Sequence, residues 1–309
     1  MKWNSVKSAF ERDDLFTSLI PDDLFLRQGS TVFTIGSCFA REIEDALSEF
    51  YDFPTLSYPH PPLSQPETLT GRPRGILNKF TPESILRELE WAKAFSLASS
   101  FDIRNFEENT ENLFLYQIAS DQCIDIGLHR PVPVTYNRFI SRRRTILNIY
   151  RQLTRSDAII VTLGNLEQAY LSDTRPLESL ATNARFLRDE HKRLTIKTQT
   201  AKDVEVSVNE IVLTIRALNQ HAKIIFSVSP VPMERTHRDR HILLANQENK
   251  LLLSQAAKRN EDSTKKIYYL PTYEYISFLG ISAFRKDLRH VQPSVIKSIM
   301  RTFRGKVDY

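Results

Sequence analysis

Glycine is scarce in these 309 residues, with only 8 present, and nowhere do they cluster densely enough for a glycine-rich phosphate cradle. The run GRPRG at 71–75 lacks the lysine and hydroxyl residue of a P-loop. Cysteine is scarcer still. Cys38 and Cys123 are too few for a disulfide framework or a four-cysteine zinc site, and their separation gives no paired-ligand spacing. No apolar run approaches the roughly 18 residues a membrane span needs, so integral membrane contact is not expected. The opening MKWNSVKSAFERDD mixes charges and has no apolar stretch before small cleavage-site residues, which predicts no secretory signal and a cytoplasmic location. Charge of one sign is also in short supply. Forty-two Lys and Arg against 37 Asp and Glu leave +5, which favours anionic partners only weakly.

What is present is enough apolar material for a core, at 41% of residues. TVFTI at 31–35 is β-branched and apolar, and it meets Gly36 followed by CFAREIEDALSEF, whose Phe39, Ile43, Ala46, Leu47 and Phe50 recur at helical spacing. This predicts a strand, a tight turn and a helix. DAIIVTLG at 157–164, AKIIFSVSP at 222–230 and KIYYLP at 266–271 read as further strands. The first two are continuous apolar runs suited to a sheet covered on both faces, which implies parallel pairing. Helices are predicted over 83–97, over 206–220, along LLANQENKLLLSQAAKR and along VIKSIMRTFRG near the C-terminus. Residues 54–82, rich in proline and polar side chains, predict a surface loop. Residues 98–150 have no βαβ rhythm and predict an inserted cap or excursion. The fold class that follows is α/β with a central, mainly parallel sheet.

Ligands of such sheets collect at the carboxyl ends of the strands. Three strand ends carry candidate residues: Gly36-Ser37-Cys38, Gly164-Asn165 and Ser229-Pro230-Val231-Pro232. A serine in a strand-to-helix turn presents its hydroxyl at the sheet edge with its N–H at a helix N-terminus, a nucleophile's position. The same residue also reads as a plain helix cap. A serine nucleophile needs a base. His290, with Asp287 three residues before it in KDLRH, supplies an imidazole and a carboxylate to orient it.

The motif GSCFA at 36–40 resembles the one that names the GSCFA family, and ILNKFTP, TLGNLEQAY, SVSPVP, LPTYEYI and DLRH follow in the order of that family's later blocks. The resemblance spans nearly the whole chain. It implies membership of the wider SGNH hydrolase group, with a flavodoxin-like, three-layer α/β/α sandwich formed by residues 1–309 as a single domain. It also implies esterase, deacetylase or acyltransferase activity without a cofactor or metal. Ser37 is then the nucleophile, with Asp287 and His290 as orienting acid and base. The oxyanion donors implied are the Ser37 N–H, Gly164 or Gly75, and Asn78 in preference to Asn165. The chain departs from the wider group in having Gly36 where an aspartate precedes the serine, and Val291-Gln292 after His290.

The expected function is therefore a serine-dependent ester hydrolase acting on an O-acylated carbohydrate or related bacterial metabolite. An O-acyltransferase that modifies a polysaccharide or glycolipid is the first alternative, and a non-catalytic glycan-binding protein the second. Cys38 competes with Ser37 as nucleophile, although a free cysteine ordinarily packs as a small hydrophobe. His237 and His241 have the spacing of a helical metal pair but lack a zincin glutamate, and read as a solvated polar face. Glu167 and Glu274 stay unassigned. Arg138, Arg142, Arg143, Arg144 and Arg151, with Tyr136, Phe139 and Tyr150 beside them, read as a solvated helix face or an anionic-ligand patch; no nucleic-acid partner is expected.

Overall fold

The computed structural model describes residues 3–11, 14–59, 68, 72–97, 102–171, 175–178 and 194–307. Among them the strands are β1 (Val32–Gly36), β2 (Leu115–Ala119), β3 (Gln122–Asp125), β4 (Ala158–Leu163), β5 (Glu167–Leu171), β6 (Arg175–Leu177), β7 (Leu194–Thr198), β8 (Lys223–Val228) and β9 (Ile267–Leu270). The α-helices are α1 (Trp3–Glu11), α2 (Cys38–Leu47), α3 (Pro82–Ser96), α4 (Ile103–Phe114), α5 (Tyr136–Tyr150), α6 (Ala201–Leu218), α7 (Ile242–Arg259), α8 (Thr272–Leu279) and α9 (Pro293–Val307).

The four strands predicted from apolar runs form one parallel sheet in the order β1-β4-β8-β9. Strand side chains alternate between faces, and here each face meets helices. Phe33, Ile35, Ile159, Val161, Ile224, Phe226, Ile267 and Tyr269 pack with residues of α3, α5, α6 and α7. Val32, Ala158, Ile160, Ile225, Tyr268 and Leu270 face the other way onto α2, α8 and α9. The result is a three-layer α/β/α sandwich. Burying each large apolar side chain on such a face contributes about 1.5–3 kcal/mol, which is why apolar residues run along these strands on both faces, interrupted only by the buried hydroxyls of Thr34, Thr162 and Ser227 and by Lys223 at the start of β8. No helix among the described residues is long and apolar enough to cross a membrane.

Two smaller sheets attach to this frame. β2 and β3 make an antiparallel hairpin, and β5 lies between β6 and β7 in an antiparallel three-stranded sheet. Ile124 and Ile126 of the hairpin region pack on Ala169, Leu171 and Leu177 of the small sheet. Residues 102–150, within the predicted excursion, thus hold a helix, the hairpin and α5, and α5 joins the main core through Phe139, Ile146 and Leu147. Residues 98–101 of that prediction lie outside the described residues. So do 60–67 and 69–71 of the loop predicted at 54–82, whose described parts are not a surface loop: they include short 3-10 turns at Pro54–Ser57 and Pro73–Leu77, and Thr55, Tyr58 and residues 74–79 are buried against the core. Helix α6 starts earlier than its apolar pattern predicts. Thr200 and Asp203 form a reciprocal capping box there, which satisfies end N–H groups and extends the helix by a polar turn.

The basic run on α5 is a solvated face only in part, with Arg138 exposed and Arg144 partly so. Arg142 and Arg143 are buried, and Arg143 is neutralised by Asp125 and Glu88. His237 is likewise not helical. It lies in the irregular stretch before α7, while His241 caps that helix by accepting from Leu243 N–H.

Candidate active site

The carboxyl ends of β1, β4 and β8 open onto a cavity of about 320 Å³ lined by Ser37, Cys38, Gly164, Ser229 and His290 among others. Gly36 makes the turn at the end of β1 with φ 143°, and a Cβ there would overlap the Thr162 backbone. Only glycine takes this conformation at this closeness without strain. Ser37 follows as the N-cap of α2, its Oγ accepting from Phe39 N–H at 3.4 Å. Its cap role and its place on the cavity wall therefore coexist. Gly164 stands beside it, since a Cβ on Gly164 would lie 3.0 Å from the Ser37 Cβ. Residues 79 and 80 lace the two strand ends together, with Lys79 N–H donating to Gly36 O at 2.8 Å and Phe80 O accepting from Gly164 N–H at 3.0 Å.

His290 reaches the same cavity from the loop before α9. Its Nδ1 lies 2.6 Å from Asp287 Oδ2, and Asp287 Oδ1 accepts from the backbone N–H of Arg289 and His290, each at 3.0 Å. Leu288, in the left-handed region at φ 55°, closes this turn. The His290 bond, followed by the two backbone N–H groups, holds the Asp287 carboxyl well below the usual carboxylate range. An ionised Asp287 accepts from Nδ1–H, which fixes the neutral tautomer with Nε2 as the proton acceptor. The fold thus brings Ser37 and His290, distant in sequence, onto one cavity, with Asp287 on the imidazole.

The oxyanion candidates are placed differently from one another. The Ser37 N–H donates to Thr162 O at 3.1 Å and the Gly164 N–H to Phe80 O. Asn165 turns onto its own chain, its Oδ1 accepting from Leu166 N–H at 2.9 Å and Glu167 N–H at 3.3 Å. Asn78 lines an adjoining cavity of about 390 Å³ together with Gly75, Cys38 and His290, and its Oδ1 is buried without a hydrogen-bond partner. The two cavities share Cys38, His129, Val231 and His290.

Several groups at or behind these walls are given no role by the sequence. Lys250 is buried and donates to Gly164 O at 2.9 Å, alongside Asn249 Nδ2 at 3.1 Å. Burial pushes this amine down to about 7. Its marker in the sequence is a polar pair on the α7 stripe between Ala245 and Leu253, which a search for apolar periodicity passes over. The Glu167 carboxylate accepts from His237 N–H at 2.8 Å, sits 3.2 Å from His237 Nδ1 and pairs with Arg238 at 3.4 Å. Glu167 and His237 both line the first cavity. Glu274 instead binds Tyr269 Oη and Lys258 away from it. Burial pushes Glu178, on the cavity wall, up to about 7, and pushes the His129 imidazole down to about 3. The Cys38 thiol is pushed up, chiefly by burial and then by Glu42. Among the described residues, no three His, Cys, Asp or Glu side chains are grouped to hold a metal ion.

A parallel-sheet α/β/α protein with a serine at the first strand end and an Asp-x-x-His turn facing it is the class that fold and cavity define. Within that class the chain belongs to the GSCFA family, whose model matches residues 31–303, from β1 into α9. No curated protein matches the chain.

Proposed function

We propose that the protein is a serine-dependent enzyme of the SGNH type that hydrolyses an acyl ester, with an O-acylated carbohydrate or related bacterial metabolite as substrate. The observation that supports this reading is that Ser37 and the Asp287-oriented His290 both line one cavity. His290 Nε2 takes the Ser37 proton as Oγ attacks the ester carbonyl, and the Asp287 carboxylate stabilises the imidazolium. The new bond joins Oγ to the acyl carbon. The ester C–O bond then breaks, and the imidazolium returns its proton to the departing alkoxide. Water repeats the sequence on the acyl-enzyme, releasing acid and free Ser37. The Asn78 amide is the side-chain donor assigned to the oxyanion, since the Asn165 Nδ2 is turned onto Glu167 O at 3.5 Å.

A second reading, transfer of the acyl group to an acceptor hydroxyl, draws on the second cavity. With His290 accessible from both cavities, donor and acceptor can flank one imidazole. Labelling with a serine-reactive fluorophosphonate tests the common chemistry. Modification is expected at Ser37 and is expected to vanish in His290→Ala, whereas labelling that survives Ser37→Ala overturns the proposal. Product analysis with an acyl donor and a glycan separates free acid from acyl-glycan.

A further inference from the structure

The rim of the first cavity carries two arginines that share one carboxylate. Arg130 Nη2 and Arg289 Nη1 approach the same oxygen, Glu234 Oε2, at 3.6 and 3.5 Å. Optimal guanidinium–carboxylate bonds are about 2.7–2.9 Å, so Glu234 balances charge here without closing a hydrogen bond. The Nε of each arginine is buried and has no hydrogen-bond partner. Such donors are normally satisfied, and leaving one buried and unpaired costs about 1–3 kcal/mol.

The backbone places both side chains deliberately. Arg130 is itself in the left-handed region at φ 50°, and Leu288, immediately before Arg289, is there at φ 55°. Left-handed backbone at a non-glycine residue persists only where the surroundings enforce it, and such residues gather at ligand clamps. Arg130 is held by Thr68 Oγ1, which donates to the Arg130 carbonyl at 3.0 Å. Arg289 follows from the Asp287 turn that also fixes His290. Arg289 lines the same cavity as Ser37 and Cys38. Glu234 is half-exposed on the irregular stretch after β8.

We infer that Arg130 and Arg289 form a binding site for an oxyanion, the carboxylate or phosphate of the substrate, and that Glu234 occupies this site until the substrate displaces it. The ester processed at Ser37 is then an anionic one, with its charged group anchored at the rim while its carbonyl lies at the strand ends. The link to ester chemistry rests on the function proposed above, whereas the anion site itself stands on the arginine pair alone.

The test is calorimetric titration of the full chain carrying Ser37→Ala with inorganic phosphate and, separately, with succinate, near 0.15 M salt. Saturable binding of at least one probe is expected, and the better probe tells phosphate from carboxylate. Removing one guanidinium, as in Arg130→Gln or Arg289→Gln, should weaken that binding at least roughly tenfold, and Glu234→Gln should strengthen it severalfold. Arg130→Lys and Arg289→Lys keep the charge and guard against misfolding, and each should bind between wild type and its Gln counterpart. The inference is overturned when neither probe saturates the parent or the Glu234→Gln protein, or when folded arginine variants bind as the parent does. Because Ser37 is absent throughout, a missing esterase activity would leave this outcome untouched.

Discussion

Two sets of arginine and carboxylate side chains flank the hairpin, and they differ in how completely they are satisfied. Inside, Arg143 forks onto Asp125 with two bonds of 2.6 Å, reaches Glu88 at 2.7 Å and lies over the Phe114 ring, while Lys79 closes the group on Glu88 at 3.1 Å. None of these side chains has more than 1% exposure. At the cavity rim, Arg130 and Arg289 share one half-exposed Glu234 beyond bonding distance and keep their Nε groups unpartnered. The same chemical groups do two jobs. A buried network must pair its charges, as Lys79 does for Glu88 Oε2 without a hydrogen bond, because an uncompensated charge in low dielectric is costly. A binding rim must not be saturated, because the ligand supplies the last partners. Substitutions on the two sides should therefore separate loss of folding from loss of function.

The largest separation is expected at the catalytic pair. Ser37→Ala and His290→Ala should lower ester turnover by about three to six orders of magnitude, with no more than the roughly 0.5–2 kcal/mol of a lost helix cap for Ser37→Ala and a nearly unchanged urea midpoint for His290→Ala. A comparable loss of turnover accompanied by a collapsed midpoint would mean that Ser37 acts as the cap of α2 and nothing more. The closed network should give the reverse pattern. Arg143→Ala strands Asp125 and Glu88 in the interior, and is expected to cost about 3–5 kcal/mol of stability. Arg289→Gln should stay within about 1 kcal/mol of wild type, as exposed pairs do. Equal losses in urea melts would erase the distinction.

The sequence made one half of this comparison far more legible than the other. Strands β1, β4, β8 and β9 announce themselves because burial on both faces leaves few polar positions, and the Asp287–His290 pair is visible because its partners are three residues apart. The three-stranded sheet that walls the cavity has strands of 3–5 residues, too short for alternation to stand out from noise, and β5 follows β4 after only three residues. Arg143 was legible as a charge but not as a buried one, since its partners Asp125 and Glu88 arrive from other elements. The Glu167–His237 and Arg130–Arg289 pairings depend in the same way on distant segments and on left-handed turns that side-chain identity does not encode. Local periodicity reports which face is apolar; it carries no information about which charge meets which.

A smaller effect comes from pH. Burial raises Glu178 from an ordinary 4.5 to about 7, so the folded state holds a proton that the unfolded chain has released, and stability falls as pH climbs from about 4.5 to 7. Burial lowers Lys250 from 10.5 to about 7, so above 7 the unfolded chain holds the extra proton, and stability recovers as pH climbs towards 10.5. Each slope is at most about 1.4 kcal/mol per pH unit. Urea unfolding across pH 5–9 should show Glu178→Gln flattening the acid limb and Lys250→Met the alkaline limb. If both variants keep the wild-type slopes, these groups are not the ones holding unfavourable charge on the cavity wall.

The smallest expected effect concerns Cys38, one residue from Ser37 and on the same wall. A thiolate is the reactive form of cysteine, and burial together with Glu42 holds this thiol protonated, the nearby Lys250, Arg289 and Arg72 only partly offsetting them. On the proposed mechanism a hydroxyl activated by His290 is expected to outcompete a thiol that burial keeps neutral. Iodoacetamide should modify Cys38 slowly at neutral pH, and Cys38→Ala should keep turnover within about tenfold of wild type, against the thousandfold or larger loss for Ser37→Ala. Fast alkylation that abolishes turnover, with Ser37→Ala still active, would exchange the two roles and make the buried Lys250 amine the cation that sustains a thiolate.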